Sequence, residues 1–175
     1  MKVAVLSCGP SLAYSWSPNQ APAYDRILAI NQSANDHPCH WAIAADRDAA
    51  LKIERPPLIG FVWRSSFSPD APQLGDVHPL CIGGRLGVVD AVKLPVLDAF
   101  KPPTFSIQDA LLFAHYWLGA TEIDLYGCDM AGSGGSRLPD TDHCRDNARW
   151  RLERPLFDKA VAYLRGNGTT VRVRE

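Results

Sequence analysis

Several apolar runs in this chain end in residues that can do chemistry. The first, Lys2 to Cys8, runs into Gly9, Pro10 and Ser11. The second, Ile27 to Asn31, is followed by Gln32 and Ser33, and the third, His40 to Asp46, by Arg47 and Asp48. A later run, Ile123 to Asp129, carries Gly127, Cys128 and Asp129 at its end. A small-residue loop such as Gly9-Pro10-Ser11 lets backbone N–H groups approach a ligand closely. Asn31 and Gln32 can read the donors and acceptors of a base or a sugar. Free N–H groups at a helix start favour an anion, which makes Ser106, at the head of the best helical stretch, a candidate phosphate contact. Asp46, Asp48 and Asp129 are the carboxylates available for Mg²⁺, an ion that needs few protein ligands when substrate phosphates supply the rest. His143 stands ahead of the last long helical stretch, and its imidazole titrates near neutrality, as a general base requires.

Each of these residues also has a purely structural reading. Gly9-Pro10-Ser11 can be a tight turn, Asn31 and Gln32 loop polar residues, and Ser106 a plain N-cap. Asp46 and Asp129 can be capping or solvated carboxylates, and His143 an exposed helix-start residue. What favours a ligand site is the coincidence of four polar strand ends, because a parallel sheet brings them to one rim. Two common nucleotide signatures are absent: neither G-x-G-x-x-G nor G-x-x-x-x-G-K-[ST] occurs. Hydride transfer with NAD and P-loop phosphoryl transfer are therefore disfavoured. Gly132 to Gly135 is glycine-rich but lacks a lysine and suits a lid. His37, Cys39, His40, His143 and Cys144 have no zinc-ligand spacing.

These residues must be positioned by strands alternating with helices. Short apolar runs at 2–8, 27–31, 40–46, 58–63 and 123–129 read as buried strands, and the alternating 170–174 as a half-exposed one. Ile107, Ala110, Leu111, Ala114, Trp117 and Leu118 recur at spacings of three and four, which predicts a helix over 106–118 stopped by Gly119. A second helical region spans about 142–165, with Pro155 expected to start a new segment after a kink. A short helix is expected over 48–53. Pro69, Pro72, Pro79 and Pro95 mark the stretch from 64 to 101 as loops with up to two short strands. The pattern predicts a single three-layer α/β domain over 1–175, Rossmann-like, with a mostly parallel sheet.

Composition narrows the class further. With 46% hydrophobic and 21% charged residues, the chain can build a core, and disorder throughout is excluded. A net charge of −1 gives no basic field for nucleic acid. From Arg137 onward nine cationic residues face six acidic ones, and before it nine face thirteen. That basic bias suits a phosphate-bearing ligand and a solvated helix face equally well. No apolar run is long enough to span a membrane, and the first residues do not form a signal peptide. Five cysteines without a C-x-x-C pair read as reduced thiols in a cytoplasmic protein.

Taken in order, G-P-S-L, I-N-Q-S, A-A-D-R-D and the long S-x-x-x-A-L-x-x-A-x-x-x-L-G-A-x-E-I-x-L-Y-G-C-D form a series. It resembles the superfamily that joins bacterial sialyltransferases to archaeal-type 6-hydroxymethyl-dihydropterin diphosphokinases, the MptE-like proteins, with motility accessory factors as relatives. The resemblance covers residues 2 to about 165. It implies a nucleotide-dependent transferase with no tightly bound cofactor, taking a CMP-sugar or ATP, with or without Mg²⁺. On the sialyltransferase side, Gly9, Pro10, Ser11 and Asn31 would hold the nucleotide, Ser106 would lie at the donor phosphate, and His143 would be the base toward a small-molecule or glycan hydroxyl. On the diphosphokinase side, Asp46 and Asp129 would hold Mg²⁺-ATP for transfer to a small heterocyclic alcohol. The chain departs from the sialyltransferases in having Cys8 and Asp46 where they usually carry Asn. Its small size is similar to that of phage-type members, where a non-catalytic nucleotide-binding role is a further alternative. The sequence leaves assembly into a homo-oligomer open.

Overall fold

The computed structural model of the chain describes residues 1–44, 52–55, 57–63, 81–82, 85–86, 106–129 and 147–174. In chain order the strands are β1 (Lys2–Leu6), β2 (Arg26–Ile30), β3 (Trp41–Ala44), β4 (Gly60–Trp63), β5 (Cys81–Ile82), β6 (Arg85–Leu86), β7 (Glu122–Tyr126) and β8 (Thr170–Arg174). The helices are α1 (Leu12–Ser15), a 3₁₀ helix over Pro18–Ala23, α2 (Ser33–Asp36), α3 (Ser106–Tyr116) and α4 (Asn147–Gly166). Six strands form one sheet in the order β4-β3-β2-β1-β7-β8. Every neighbouring pair in it is parallel. β5 and β6 make a separate antiparallel pair, in the stretch where two short strands were allowed for.

The apolar runs become central strands because both of their faces are covered. On β1, Val3 and Val5 face one core while Ala4 and Leu6 face the other. The first core is thick. It takes Ile107, Ala110, Leu111 and Ala114 from α3, at the spacing that predicted the helix, and Phe157, Ala160, Val161 and Leu164 from α4. Phe113 sets its ring edge-on to Trp41, with centroids 5.1 Å apart. Burying side chains such as Leu111 or Phe113 stabilises the fold by about 1.5–3 kcal/mol each before entropy is charged. After Tyr116 the chain reverses through Gly119, whose φ of +68° closes the helix end.

The opposite face is thinner. Its strands present Ala4, Ala29, Ala42 and Ala44, so the short α1, α2 and the 3₁₀ helix can lie close against the sheet. Trp16 and Tyr126 fill the far side, with ring centroids 4.9 Å apart.

One expectation is corrected. Pro155 does not begin a new helical segment, because α4 runs through it without interruption. The reason is its position. Pro155 and Arg151, whose carbonyl loses a donor there, are both exposed, so water replaces the missing hydrogen bond while the four apolar anchors hold the helix on the sheet. Residues 142–146 and 48–51, parts of two expected helices, lie outside the described residues.

Candidate functional site

The sheet reverses its direction of growth between β1 and β7. The chain leaves β1 toward β2, β3 and β4, and the strand on its other side is β7. The connections that follow β1 cover the thin face, and α4, which follows β7, covers the thick one. A crevice opens at such a point beyond the carboxyl ends of the strands.

Two loops meet there and are stitched together by backbone. The Ser7 N–H donates to the Tyr126 carbonyl at 2.8 Å and the Gly9 N–H to the Gly127 carbonyl at 2.9 Å. The Ser11 N–H donates to Asp129 Oδ2 at 3.2 Å. A Cβ built on Gly9 would lie 1.9 Å from Asp129 Oδ2 and 2.2 Å from the Gly127 oxygen, so only glycine fits. Gly127 itself sits at φ +67°. Gly9, Ser11 and Asp129 are thus brought together, with Pro10 exposed between the first two. Ser11 is buried, and its amide is already engaged by a carboxylate. That negative group disfavours a bare phosphate at the same N–H.

The end of β2 joins this cluster. Cys8 Sγ donates to the Ile30 carbonyl at 3.0 Å. Ser33 Oγ lies 2.8 Å from the carbonyls of both Leu6 and Ile30, clasping the ends of β1 and β2. Asn31, the next residue, has φ 52°, the sole non-glycine positive φ among the described residues. Asparagine tolerates that conformation better than most residues. Its side-chain Oδ1 is buried and accepts no hydrogen bond from a described residue. Gln32 sits at the start of α2 and makes no side-chain cap there.

The remaining candidates are farther along the chain. Ser106 is the first residue of α3 and partly buried. Asp46 and His143 lie outside the described residues. Among the described residues no three His, Cys, Asp or Glu side chains group to hold a metal. Cys8, Cys39 and Cys128 form no disulfide among the described residues. Burial pushes the Cys39 thiol up to about 12, with Arg55 opposing weakly, so it stays protonated and inert at neutral pH.

A second polar cluster was not anticipated. Asp124 is wholly buried in β7. Tyr24 Oη donates to its Oδ2 at 2.8 Å, Arg174 Nη2 to the same oxygen at 3.2 Å and Arg172 Nη1 to Oδ1 at 3.4 Å. Lys2 Nζ stands 3.7 Å away. Burial alone would raise this carboxyl, but the Tyr24 and arginine hydrogen bonds outweigh it and hold it below the usual range. Burial, together with the bonds to Tyr126 and Asp124, drives the Tyr24 phenol far above its ordinary value. The sequence did carry a signal. Asp124 interrupts an otherwise apolar run, and the alternating TVRVR strand puts Arg172 and Arg174 on the face in register with it.

Comparison of the chain with family models, with curated proteins and with solved structures finds no match. The fold is therefore stated on its own geometry: an α/β, Rossmann-like domain with an all-parallel sheet and helices on both faces. Among the described residues, no helix is long and apolar enough to cross a membrane.

Proposed function

We propose that the chain is a nucleotide-dependent transferase, moving a glycosyl group from a nucleotide-sugar donor to a hydroxyl acceptor. The observation that carries the reading is Asn31 Oδ1, a buried acceptor with no donor among the described residues, at the strand end beside the switch-point crevice. Leaving such a group unsatisfied costs about 1–3 kcal/mol. An exocyclic amine or ribose hydroxyl of a bound nucleotide would supply the missing proton and recover that energy. Gly9, Pro10, Ser11 and Gln32 would shape the rest of the nucleotide site, and Ser106, at the start of an 11-residue helix, would meet the donor phosphate.

In the transfer, the bond from the sugar's anomeric carbon to the phosphate oxygen breaks and the electron pair leaves with the phosphate. The acceptor oxygen forms the new bond, and its proton passes to His143. The carboxylate of Asp129 supports a second reading. Its Oδ1 accepts no hydrogen bond from a described residue, so the atom is available to Mg²⁺, and Asp46 would be the second ligand. In that case ATP would bind with the metal, the alcohol oxygen would bond to the β-phosphorus as the bridge to the α-phosphate breaks, and the products would be AMP and the diphosphate of a small heterocyclic alcohol.

The test is thermal shift with CMP, UDP, GDP and ATP, each with Mg²⁺ and with EDTA. A ligand at a hundred times its dissociation constant raises stability by about 2.7 kcal/mol, several degrees for a domain of this size. At least one nucleotide is expected to do so with EDTA present, and Asn31→Ala to abolish the shift. Flat curves across the panel would remove both readings. Binding of ATP alone, and with Mg²⁺ alone, would replace the first by the second.

A further inference from the structure

Beside the crevice, on the thin face of the sheet, lies a pocket of about 370 Å³ lined by Ser15, Gln20, Ala23, Tyr24, Tyr126 and Arg174. That volume is enough for a small ligand. Tyr126 and Arg174 are register partners at the carboxyl ends of β7 and β8, whereas Ala23 and Tyr24 lead into the amino end of β2, so the pocket lies across the thin face, at the end of α1 away from Ser11.

The direction of each hydrogen bond in its wall follows from Asp124. Cationic groups from Lys2, Arg172 and Arg174 all stand within 4 Å of this carboxylate, which keeps it ionised and acceptor-only. Tyr24 must therefore donate its proton to Asp124, 2.8 Å away. The contact of 2.5 Å between the two phenols then has one polarity: Tyr126 donates and Tyr24 accepts. The Tyr126 oxygen keeps its lone pairs. Ser15 Oγ spends its proton on the Ser11 carbonyl at 2.8 Å and is likewise left as an acceptor. Gln20 uses its carbonyl oxygen on the Ser17 N–H at 2.6 Å, leaving its amide N–H groups as donors.

Arg174 is the one charged residue in the lining. Its Nη2 reaches Asp124, and no further hydrogen bond of its guanidinium is found among the described residues. Arg172 is also paired with Glu122 at 2.8 Å, so the three cations face two carboxylates, and Arg174 keeps both a share of the surplus charge and surplus N–H donors. Two phenol rings and the Ala23 methyl form the rest of the wall. The geometry points to a binding site for a small ring-bearing molecule that carries an oxyanion, a carboxylate or a phosphate, held by Arg174 and the Gln20 amide. Hydroxyl or amine donors of the same molecule would meet Tyr126 Oη and Ser15 Oγ. The inference stands apart from the nucleotide reading, since none of these six residues is assigned to the nucleotide.

The experiment is a titration of the ¹⁵N-labelled full chain with benzoate, phenyl phosphate and, as the neutral control, benzyl alcohol, followed by amide chemical shifts. Saturable shifts are expected at Ser15, Gln20, Ala23 and Arg174 with at least one anion and not with the alcohol. Benzoate acting alone identifies a carboxylate site, and phenyl phosphate acting alone a phosphate site. Arg174→Gln should weaken binding at least about tenfold, the scale of one charge-assisted hydrogen bond. Because that change also disturbs Asp124, Ala23→Leu gives a second reading: it fills the pocket without touching the carboxylate and should weaken binding as much. The inference is overturned if neither anion saturates into the ~10 mM range, if the alcohol binds as well as the anions, or if Ala23→Leu binds unchanged.

Discussion

The Ser11 backbone N–H donates to the carboxylate of Asp129, 118 positions away in the chain and 3.2 Å away in space. This bond decides how the crevice handles charge. Asp129→Ala should cost about 1 kcal/mol, because a part-buried N–H loses its acceptor. Asp129→Asn keeps an acceptor oxygen and removes the charge. If the donor binds without metal, nucleotide affinity in EDTA should be equal or a few-fold higher in Asp129→Asn, measured by calorimetry. A loss of about tenfold or more, seen only with Mg²⁺ present, would assign the carboxylate to a metal instead.

The close approach of the two loops makes Gly9 the most restrictive position of the site. Gly9→Ala would drive a methyl into the Gly127 carbonyl, 2.2 Å from the ideal Cβ, and this is backbone with little room to retreat. The expected loss is about 3 kcal/mol, the upper end for overpacking, and any nucleotide-dependent stabilisation should go with it. Gly127→Ala should be milder on conformation alone, about 1–2 kcal/mol for its positive φ, with added strain because its Cβ would fall 2.8 Å from that of Leu12. Urea unfolding of both variants checks the order.

Asp124 should make the fold acid-sensitive. Its folded carboxyl titrates below the ordinary value. The stabilisation it brings is therefore fully present above the unfolded value of about 3.9 and is lost as pH falls from there through the folded value. Asp124→Asn should lose about 1.5–3 kcal/mol at neutral pH, the range for hydrogen bonds to a charged group. The gap between variant and parent should begin to close below about pH 4 and go on shrinking as pH falls. A gap that stays constant down to pH 2 would show that the charge is not what stabilises.

A gentler slope belongs to the histidines. His40 Nδ1 accepts the Ile27 N–H at 3.0 Å, so the ring is neutral with its proton on Nε2. Burial and, less strongly, Arg26 lower its pKa, and burial lowers that of His115. Folded-state values below the unfolded one mean that stability is intact above about pH 6.5 and declines as pH drops below it. The melting temperature should fall between pH 7 and 5, and the fall should be smaller in His40→Gln.

Much of this architecture was written in hydrophobic periodicity. The runs around Val3, Leu28, Ile43 and Leu125 became the sheet because a parallel strand buries both faces and so needs no polar alternation. The three-and-four spacing from Ile107 to Ala114 became α3 for the same kind of reason. The strand-end residues Gly9, Ser11, Asn31 and Asp129 were legible as a rim because parallel topology collects carboxyl ends. What periodicity did not convey was pairing. That Asp129 holds Ser11, and that Asp124 gathers Tyr24, Arg172 and Arg174, depends on β7 lying between β1 and β8, and strand order is a property of long-range packing. Pro155 misled because a local rule about helix interiors is relaxed where the vacant carbonyl faces water.

The position of β7 beside β1 also sets the order of events during synthesis. The Lys2–Leu6 strand can pair with β2 once Ile30 has been made, through the register that joins Val3 to Arg26. Its other edge must wait for Glu122–Tyr126. At roughly 5–20 residues per second, that interval is on the order of ten seconds. Throughout it the nascent sheet carries an open, apolar β1 edge able to pair with a neighbouring chain. A chaperone that covers the edge should raise the soluble yield more than any change to the finished surface.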